Sequence, residues 1–85
     1  MYYIYVLKSL RDSNNYVGLT TDVQRRLSDH NAGRVSSTKS RRPFDLIYCE
    51  EFERKVDAEK RERYFKTGNG RQTLKIYLGR QKRSE

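Results

Sequence analysis

The fold is decided by residues 2–19, which read YYIYVLKSLRDSNNYVGL. Residues 2–7 are tyrosine, isoleucine, valine and leucine without a polar interruption, which predicts a strand covered on both faces. Residues 8–15 form a polar segment rich in the turn-forming residues Asp, Ser and Asn. Because residues 16–19 form a second apolar run, the pattern predicts a β-hairpin.

The segment after the hairpin predicts a short helix and then a loop. Three consecutive side chains offer N-cap oxygens: Thr20, Thr21 and Asp22. Residues 23–33 follow with helical spacing, and Gly33 can supply the left-handed residue that ends a helix. Residues 34–43 are polar and basic and end at the only proline, which predicts an exposed loop.

A third strand is predicted over residues 44–52, which read FDLIYCEEF. Alternation along a strand divides its apolar side chains between two sides, with Phe44, Leu46 and Tyr48 opposite Ile47 and Cys49. Apolar cover on both sides predicts that this strand is central in the sheet or well shielded.

Two helices complete the predicted fold. Residues 54–68 are dense in good helix formers, and residues 69–78 supply a last helix that ends at Gly79. The order strand, strand, helix, strand, helix, helix predicts an α+β fold, a small three-stranded sheet flanked by helices. We expect a single domain over residues 1–79 and a basic, flexible tail over residues 80–85.

The charge of the chain points to a polyanionic partner. Lys and Arg number 19 against 11 Asp and Glu, which gives a net charge of +8. Small domains also carry excess charge for solubility. We expect DNA as the first partner and leave RNA open. A membrane partner is disfavoured because no predicted helix combines a wide apolar face with a basic one.

Cysteine and histidine usage restricts the metal and the compartment. One cysteine, Cys49, cannot form an internal disulfide, and no charged leader or long apolar run is present, so we expect a cytoplasmic protein. One cysteine and one histidine cannot complete a zinc site. Any catalytic metal would be held by carboxylate oxygen, which favours Mg²⁺ or Mn²⁺.

Helical spacing singles out three polar side chains. Arg26 and His30 are four residues apart beside the apolar positions of the first helix. Taken alone, His30 is typical of an ordinary helix-end residue and Arg26 of a side chain extended over a sheet edge. On the next helix, Glu62 lies four residues after Ala58 and three before Phe65, which directs one carboxylate inward.

These residues together resemble the GIY-YIG nuclease family. Tyr3-Ile4-Tyr5 stands where that family has Gly-Ile-Tyr, and Tyr16-Val17-Gly18 stands for Tyr-Ile-Gly. Arg26 and His30 follow the second motif at the family's spacing, and residues 57–71 resemble its metal-binding helix. The chain is most similar to the small stand-alone branch, which is related to the N-terminal nuclease module of an excinuclease.

The resemblance implies an activity and a role for each residue. It implies a metal-dependent endonuclease that hydrolyses DNA phosphodiester bonds, for which structure-selective action in repair or recombination is one option. Glu62 would hold one Mg²⁺ or Mn²⁺ ion, Arg26 would clamp the phosphate, and Tyr5 would position or deprotonate the water. Tyr16 and His30 would complete the hydrogen-bond network. The asparagine that some members place after the metal-binding helix has no assigned counterpart.

Other residues are candidates for binding the substrate. The basic loop contributes four cationic side chains that could follow a nucleic-acid backbone: Arg34, Lys39, Arg41 and Arg42. Gly18 is interpreted as a position where backbone approaches backbone or ligand, with a plain strand-end turn as the alternative.

Two other classes of function remain open from the sequence. The rival to the nuclease is a nucleic-acid binding module that keeps the fold without catalysis or depends on a partner protein. A structural adaptor explains the charge poorly. The sequence leaves open the oligomeric state and whether a protein partner supplies specificity.

Overall fold

The first two strands form the predicted hairpin. A computed structural model describes residues 1–83 of the chain, and their side chains as far as residue 79. Strand β1 (Tyr2–Ser9) pairs antiparallel with strand β2 (Asn15–Thr20), and Tyr5 lies opposite Gly18 in the register. The two apolar runs therefore pair with each other, as their spacing predicted.

Strand β1 is the centre of the sheet. Strand β3 (Phe44–Phe52) pairs antiparallel with the other side of β1, so the strand order is β2-β1-β3. Residues 4–7 of β1 are all buried, which agrees with the predicted cover on both faces. The prediction of a central or well-shielded third strand is wrong, because β3 is an edge strand with exposed positions such as Cys49.

A β-bulge changes the sides of β3. Val6 of β1 pairs with Tyr48, but the next residue, Leu7, pairs with Leu46, so Ile47 is the extra residue. Leu46 packs in the cluster on one face of the sheet, whereas Tyr48 packs against the cluster on the other. The prediction that Leu46 and Tyr48 lie on the same side of β3 is therefore wrong, because the extra residue of a bulge interrupts the alternation of side chains.

The helices follow the predicted order. They are α1 (Val23–Asn31), α2 (Lys55–Phe65) and α3 (Gly68–Arg83), with a short 3₁₀ turn at Lys39–Arg41 inside the basic loop. Asp22 is the N-cap of α1, where its carboxylate accepts a hydrogen bond from the Arg25 amide at 3.1 Å. Gly33 has φ +79°, which confirms its predicted left-handed role after the helix.

The last helix is longer than predicted. Gly79 lies inside α3, which continues to Arg83, so the predicted end at Gly79 is wrong. Glycine costs a helix about 1 kcal/mol, which the flanking helix formers offset. Residues 80–83, which were predicted as part of the tail, therefore belong to α3, and residues 84–85 lie outside the described residues.

The helices pack on opposite faces of the sheet. On one face α1 covers a cluster formed by Tyr5, Leu7 and Phe44. On the other face α2 and α3 cover a second cluster formed by Ile4, Val6, Val17, Ala58, Phe65 and Leu74. In the described part of the chain no helix is long and apolar enough to cross a bilayer.

Candidate active site

Tyr5 lies at the centre of the candidate site, on the α1 face of the middle strand. Its side chain is 1% exposed, and its hydroxyl lies 3.0 Å from Nε2 of His30. The Tyr5 ring crosses directly over the backbone of Gly18, where an added Cβ would lie 2.7 Å from Cε1 of that ring. Gly18 does allow a close approach, but the group that approaches is the Tyr5 ring, not backbone or ligand as the sequence predicted.

His30 is fully buried in the last turn of α1. Its Nδ1 lies 2.8 Å from the Thr38 hydroxyl oxygen, which can itself donate to the Val35 carbonyl at 3.4 Å. That donation leaves the Thr38 oxygen to accept from Nδ1–H, so we assign the ring proton to Nδ1. The lone pair of Nε2 is then free to accept the hydrogen bond of the Tyr5 hydroxyl.

Aromatic packing holds the histidine in place. The Tyr16 ring meets the His30 ring edge-on at 4.9 Å between centroids, and the Phe44 ring does so at 5.7 Å. Tyr16 also lies 6.3 Å from the Tyr5 ring. The structure therefore brings together Tyr5, Tyr16 and His30, which are far apart in the sequence and which the resemblance assigned to one site.

Burial and the nearby charges together set the protonation states of Tyr5 and His30. Burial raises the pKa of Tyr5 above 10.0, although the nearby Arg26 guanidinium opposes this. Burial lowers the pKa of His30 below 6.5, and the positive charge of Arg26 lowers it further, while Asp29 raises it. At neutral pH Tyr5 therefore keeps its proton, and His30 is neutral and able to accept one.

Arg26 is close enough to both groups to act on each of them. Its side chain is 38% exposed, and one guanidinium nitrogen lies 3.8 Å from an Asp29 carboxylate oxygen. That distance is at the limit of an ion pair, so the interaction is weak. The partly exposed guanidinium is available to a phosphate beside the Tyr5 hydroxyl.

Glu62 lies on α2 and is partly buried. The flanking residues Ala58 and Phe65 are buried, as the helical spacing predicted, and the Glu62 side chain is 26% exposed. Its carboxylate pairs with Lys66 at 3.2 Å, one turn further along the helix. The negative charge of Glu62 also raises the pKa of Tyr5, after larger effects from burial and Tyr16.

Two residues that position the site were missed by sequence reasoning. Thr38 is 1% exposed and bonds His30, but it lies in a polar run where nothing separates it from the neighbouring serines. Asn31 links the end of α1 to the start of β3. Its side-chain Nδ2 donates to the Phe44 carbonyl at 3.1 Å, and its side-chain Oδ1 accepts from the Phe44 backbone N–H at 2.7 Å. The only signal for Asn31 in the sequence was that a polar residue ends the predicted helix.

The basic loop is partly committed to internal contacts. Arg41 pairs with Asp12 at 2.7 Å and lowers the pKa of that carboxyl to about 2. The Arg42 guanidinium donates to the Lys39 carbonyl at 2.9 Å, and Arg34 pairs with Asp29 at 3.4 Å. These contacts make the loop part of the fold, and its role in substrate docking stays a prediction.

The sheet, the helices and the tyrosine-centred cluster define a class of protein. The GIY-YIG catalytic domain family matches residues 1–75 of the chain. The chain therefore belongs to the GIY-YIG family, a family of nucleases, and the resemblance carried by its two tyrosine tripeptides is confirmed.

Similar relatives are small bacterial proteins named UPF0213. The chain is 42% identical over 76 residues to a UPF0213 protein of Staphylococcus haemolyticus, a match that covers 88% of this chain and 92% of the relative. It is 44% identical over 80 residues to one of Limosilactobacillus reuteri, covering 91% and 82%. The predicted stand-alone branch is thus confirmed, and these names state no activity.

A solved structure supports the fold. The solution NMR structure of a UPF0213 protein from Bacillus halodurans has a TM-score of 0.55 to this chain, with 32% sequence identity. The match covers 91% of this chain and 85% of the other. The predicted α+β architecture and its element order are therefore confirmed.

The Glu62 carboxylate suits a hard divalent ion. Nucleases of this family generally depend on a metal. Among the described residues, no group of three or more His, Cys, Asp or Glu side chains gathers to hold one. Mg²⁺ commonly binds through one or two carboxylates, its own waters and substrate phosphate. Glu62, partly exposed and paired only with Lys66, fits that arrangement as a single protein ligand.

His30 offers a direct test of the site without any substrate. It is the only histidine, so its ring gives one set of ¹⁵N NMR signals. We expect His30 to have a pKa below 6.5 and its neutral ring to carry the proton on Nδ1. Arg26→Gln should raise the pKa of His30 by removing a positive charge. Because the folded pKa is lowered, this group stabilises the fold above pH 6.5 and less as the pH falls through the native value. An unchanged or lower pKa in Arg26→Gln contradicts the arrangement.

Proposed function

We propose that the chain is a metal-dependent endonuclease that hydrolyses phosphodiester bonds, with DNA as its substrate. The observation that carries the proposal is the hydrogen bond of 3.0 Å between Tyr5 and a buried, neutral His30. Arg26 and Glu62 both affect the pKa of Tyr5. The proposal therefore assigns to this site a proton acceptor, a phosphate-binding cation and a carboxylate for a metal, which phosphodiester hydrolysis needs.

Tyr5 and His30 supply a path for the proton of the attacking water. The raised pKa of Tyr5 makes its free phenolate scarce at neutral pH. In the proposed step the water oxygen forms its bond to phosphorus as the P–O bond to the departing sugar oxygen breaks. The water gives a proton to Tyr5, whose own proton passes to Nε2 of His30, and the departing oxygen takes a proton from solvent. Asp29 favours the resulting imidazolium, and Thr38 accepts the hydrogen bond from Nδ1.

Arg26 and Glu62 act on the phosphate. The Arg26 guanidinium donates hydrogen bonds to the non-bridging oxygens, where negative charge grows in the transition state. Glu62 would hold the divalent ion, which when bound would polarise the phosphate and neutralise charge on the departing oxygen. Tyr16 keeps the His30 ring in its orientation by edge-on packing.

The proposed substrate is DNA chosen by shape. Contacts to phosphate oxygens position a strand and carry no sequence information, and the described site offers mainly such contacts. We propose structure-selective cutting during repair or recombination, in the cytoplasm, with further selectivity from a partner protein. The support is the basic charge of +8 and the single cysteine.

A cleavage assay tests the proposal. Labelled duplex, nicked, flapped, branched and single-stranded DNAs are incubated with Mg²⁺ or Mn²⁺, and a chelator should stop all cutting. Tyr5→Phe should lower the cleavage rate about 10²–10⁴-fold, because it removes the proton path. Tyr3→Phe is the matched control, since the Tyr3 hydroxyl bonds only the exposed Glu51, at 3.3 Å.

Two outcomes would count against the proposed reaction. Cutting by Tyr5→Phe at the wild-type rate would remove Tyr5 from the mechanism. Binding by the wild type without cutting of any substrate in the panel would favour the nucleic-acid binding module instead. RNA versions of the same substrates, run in parallel, decide between the two nucleic acids.

A further inference from the structure

A second basic surface lies beside the candidate site. A groove of about 690 Å³ runs between the start of β2 and the first turns of α3. Three cationic side chains line it: Lys66, Arg71 and Lys75. Its lining includes no Asp or Glu in the described part of the chain. The groove is therefore a concave surface of positive charge.

The cations on α3 are not neutralised by ion pairs in the described part of the chain. Within residues 1–79, neither Arg71 nor Lys75 forms an ion pair, and both are exposed. They are four residues apart on one face of α3, about 6 Å along its axis. Arg41, by contrast, is held by Asp12 at 2.7 Å. Among the described residues, α3 therefore offers two cations that no carboxylate neutralises, as many as Lys39 and Arg42 offer in the loop, and it holds them in a groove.

The groove adjoins the candidate site at two points. Tyr16 contributes to its lining and also packs edge-on against His30. Lys66 lines the groove and pairs with Glu62 at 3.2 Å. A strand whose reacting phosphate lies beside Tyr5 can therefore continue into the groove without leaving the protein surface.

The size and polarity of the groove select the occupant. A volume of about 690 Å³ is in the range that holds a compact ligand, and so suits a short piece of one strand rather than a duplex. Amide side chains supply neutral donors and acceptors along the lining, from Asn14, Asn15 and Gln72. Lysine, arginine and amides are the groups that proteins commonly use to contact phosphate and sugar.

We propose that this groove binds the sugar-phosphate backbone of one nucleic-acid strand as it leaves the reacting phosphate. The inference rests on the proposed nuclease function for the location of that phosphate. Arg71 and Lys75 contact phosphates, and the neighbouring amides contact phosphate or sugar.

Salt-dependent binding tests the groove directly. Fluorescence anisotropy with a labelled single-stranded oligonucleotide, in the absence of metal, gives affinity as a function of salt. Arg71→Ala/Lys75→Ala should lower the slope of log K against log salt by about 1.4, since each contact with a single strand contributes about 0.7. Lys60→Ala/Arg63→Ala removes the same charge from exposed residues of α2 outside the groove and should change the slope little.

A charge-conserving swap separates charge from shape. Arg71→Lys/Lys75→Arg should keep the wild-type slope, and thermal unfolding should show all three double variants folded. Equal slopes for Arg71→Ala/Lys75→Ala and the α2 control would overturn the proposal. A loss of affinity confined to duplex DNA would overturn the assignment of a single strand.

Cleavage measured beside binding keeps the two proposals separable. If the wild type cuts DNA but the groove variant binds normally, the groove proposal fails and the nuclease stands. If no substrate is cut but the groove variant loses single-strand affinity, the nuclease proposal fails and the groove stands.

Discussion

Glu62→Gln should lower metal-dependent cleavage by about 10³-fold or more while leaving DNA binding nearly unchanged. A metal polarising phosphate contributes several kcal/mol to the transition state, and each 1.36 kcal/mol is a factor of about ten in rate. The amide of glutamine is close in shape to the carboxylate but lacks its charge, so it binds Mg²⁺ weakly. Single-turnover cleavage at increasing Mg²⁺ concentration measures the loss.

Glu62→Gln distinguishes a role of the carboxylate at the metal from an effect of its charge on Tyr5. The Glu62 charge raises the pKa of Tyr5, so its removal should ease proton transfer from the Tyr5 hydroxyl. If Glu62 acted only through Tyr5, Glu62→Gln would cut as well as the wild type or better at neutral pH. A large loss of rate is therefore evidence for a role of the carboxylate at the metal.

Stability and a matched variant complete the test. Glu62→Gln breaks the ion pair with Lys66, which is one turn away and about half exposed, so the expected cost is only about 0.3–0.5 kcal/mol. Glu59→Gln removes the same charge from the same helix, and it should retain wild-type cleavage. Equal losses in the two variants would show that net charge, and not a metal ligand at Glu62, sets the rate.

Gly18→Ala should destabilise the fold by about 2–3 kcal/mol and lower cleavage together with stability. A Cβ at this position would overlap the Tyr5 ring, with Cε1 at 2.7 Å and the atoms near the hydroxyl closer still. Tyr5 is 1% exposed and packed on both sides, so its ring cannot move without losing its bond to His30. Chemical denaturation measures the loss of stability.

A double-mutant cycle of Gly18 and Tyr5 tests whether the Tyr5 ring causes the loss of stability in Gly18→Ala. In a Tyr5→Leu background the added methyl group has no ring to meet, so most of the cost of Gly18→Ala should disappear. Gly79→Ala is the matched control, because within the described residues a Cβ there meets nothing within 4 Å, and it should stabilise α3 by about 1 kcal/mol. An unchanged cost of Gly18→Ala without the Tyr5 ring would place the strain in the β2 backbone instead.

Local pattern was sufficient for the elements and for part of the site. The hairpin followed from two apolar runs separated by turn residues, and α1 followed from the cap at Asp22 and the left-handed Gly33. Helical spacing directed Glu62 toward the sheet between buried Ala58 and Phe65. These features depend on residues within a few positions of one another, which the sequence displays directly.

Tertiary structure alone decided which strand is central, where β3 bulges and what surrounds His30. Ile47 as the extra residue depends on the register between β1 and β3, whose partners are about 40 residues apart in the chain. Thr38 reaches His30 only because the polar loop folds back over α1, and Arg41 finds Asp12 across the hairpin turn. The sequence by itself determined the helices, the strands and the types of residue at the site; long-range pairing and loop closure decided which of those residues meet, because contacts between distant segments leave no local periodicity.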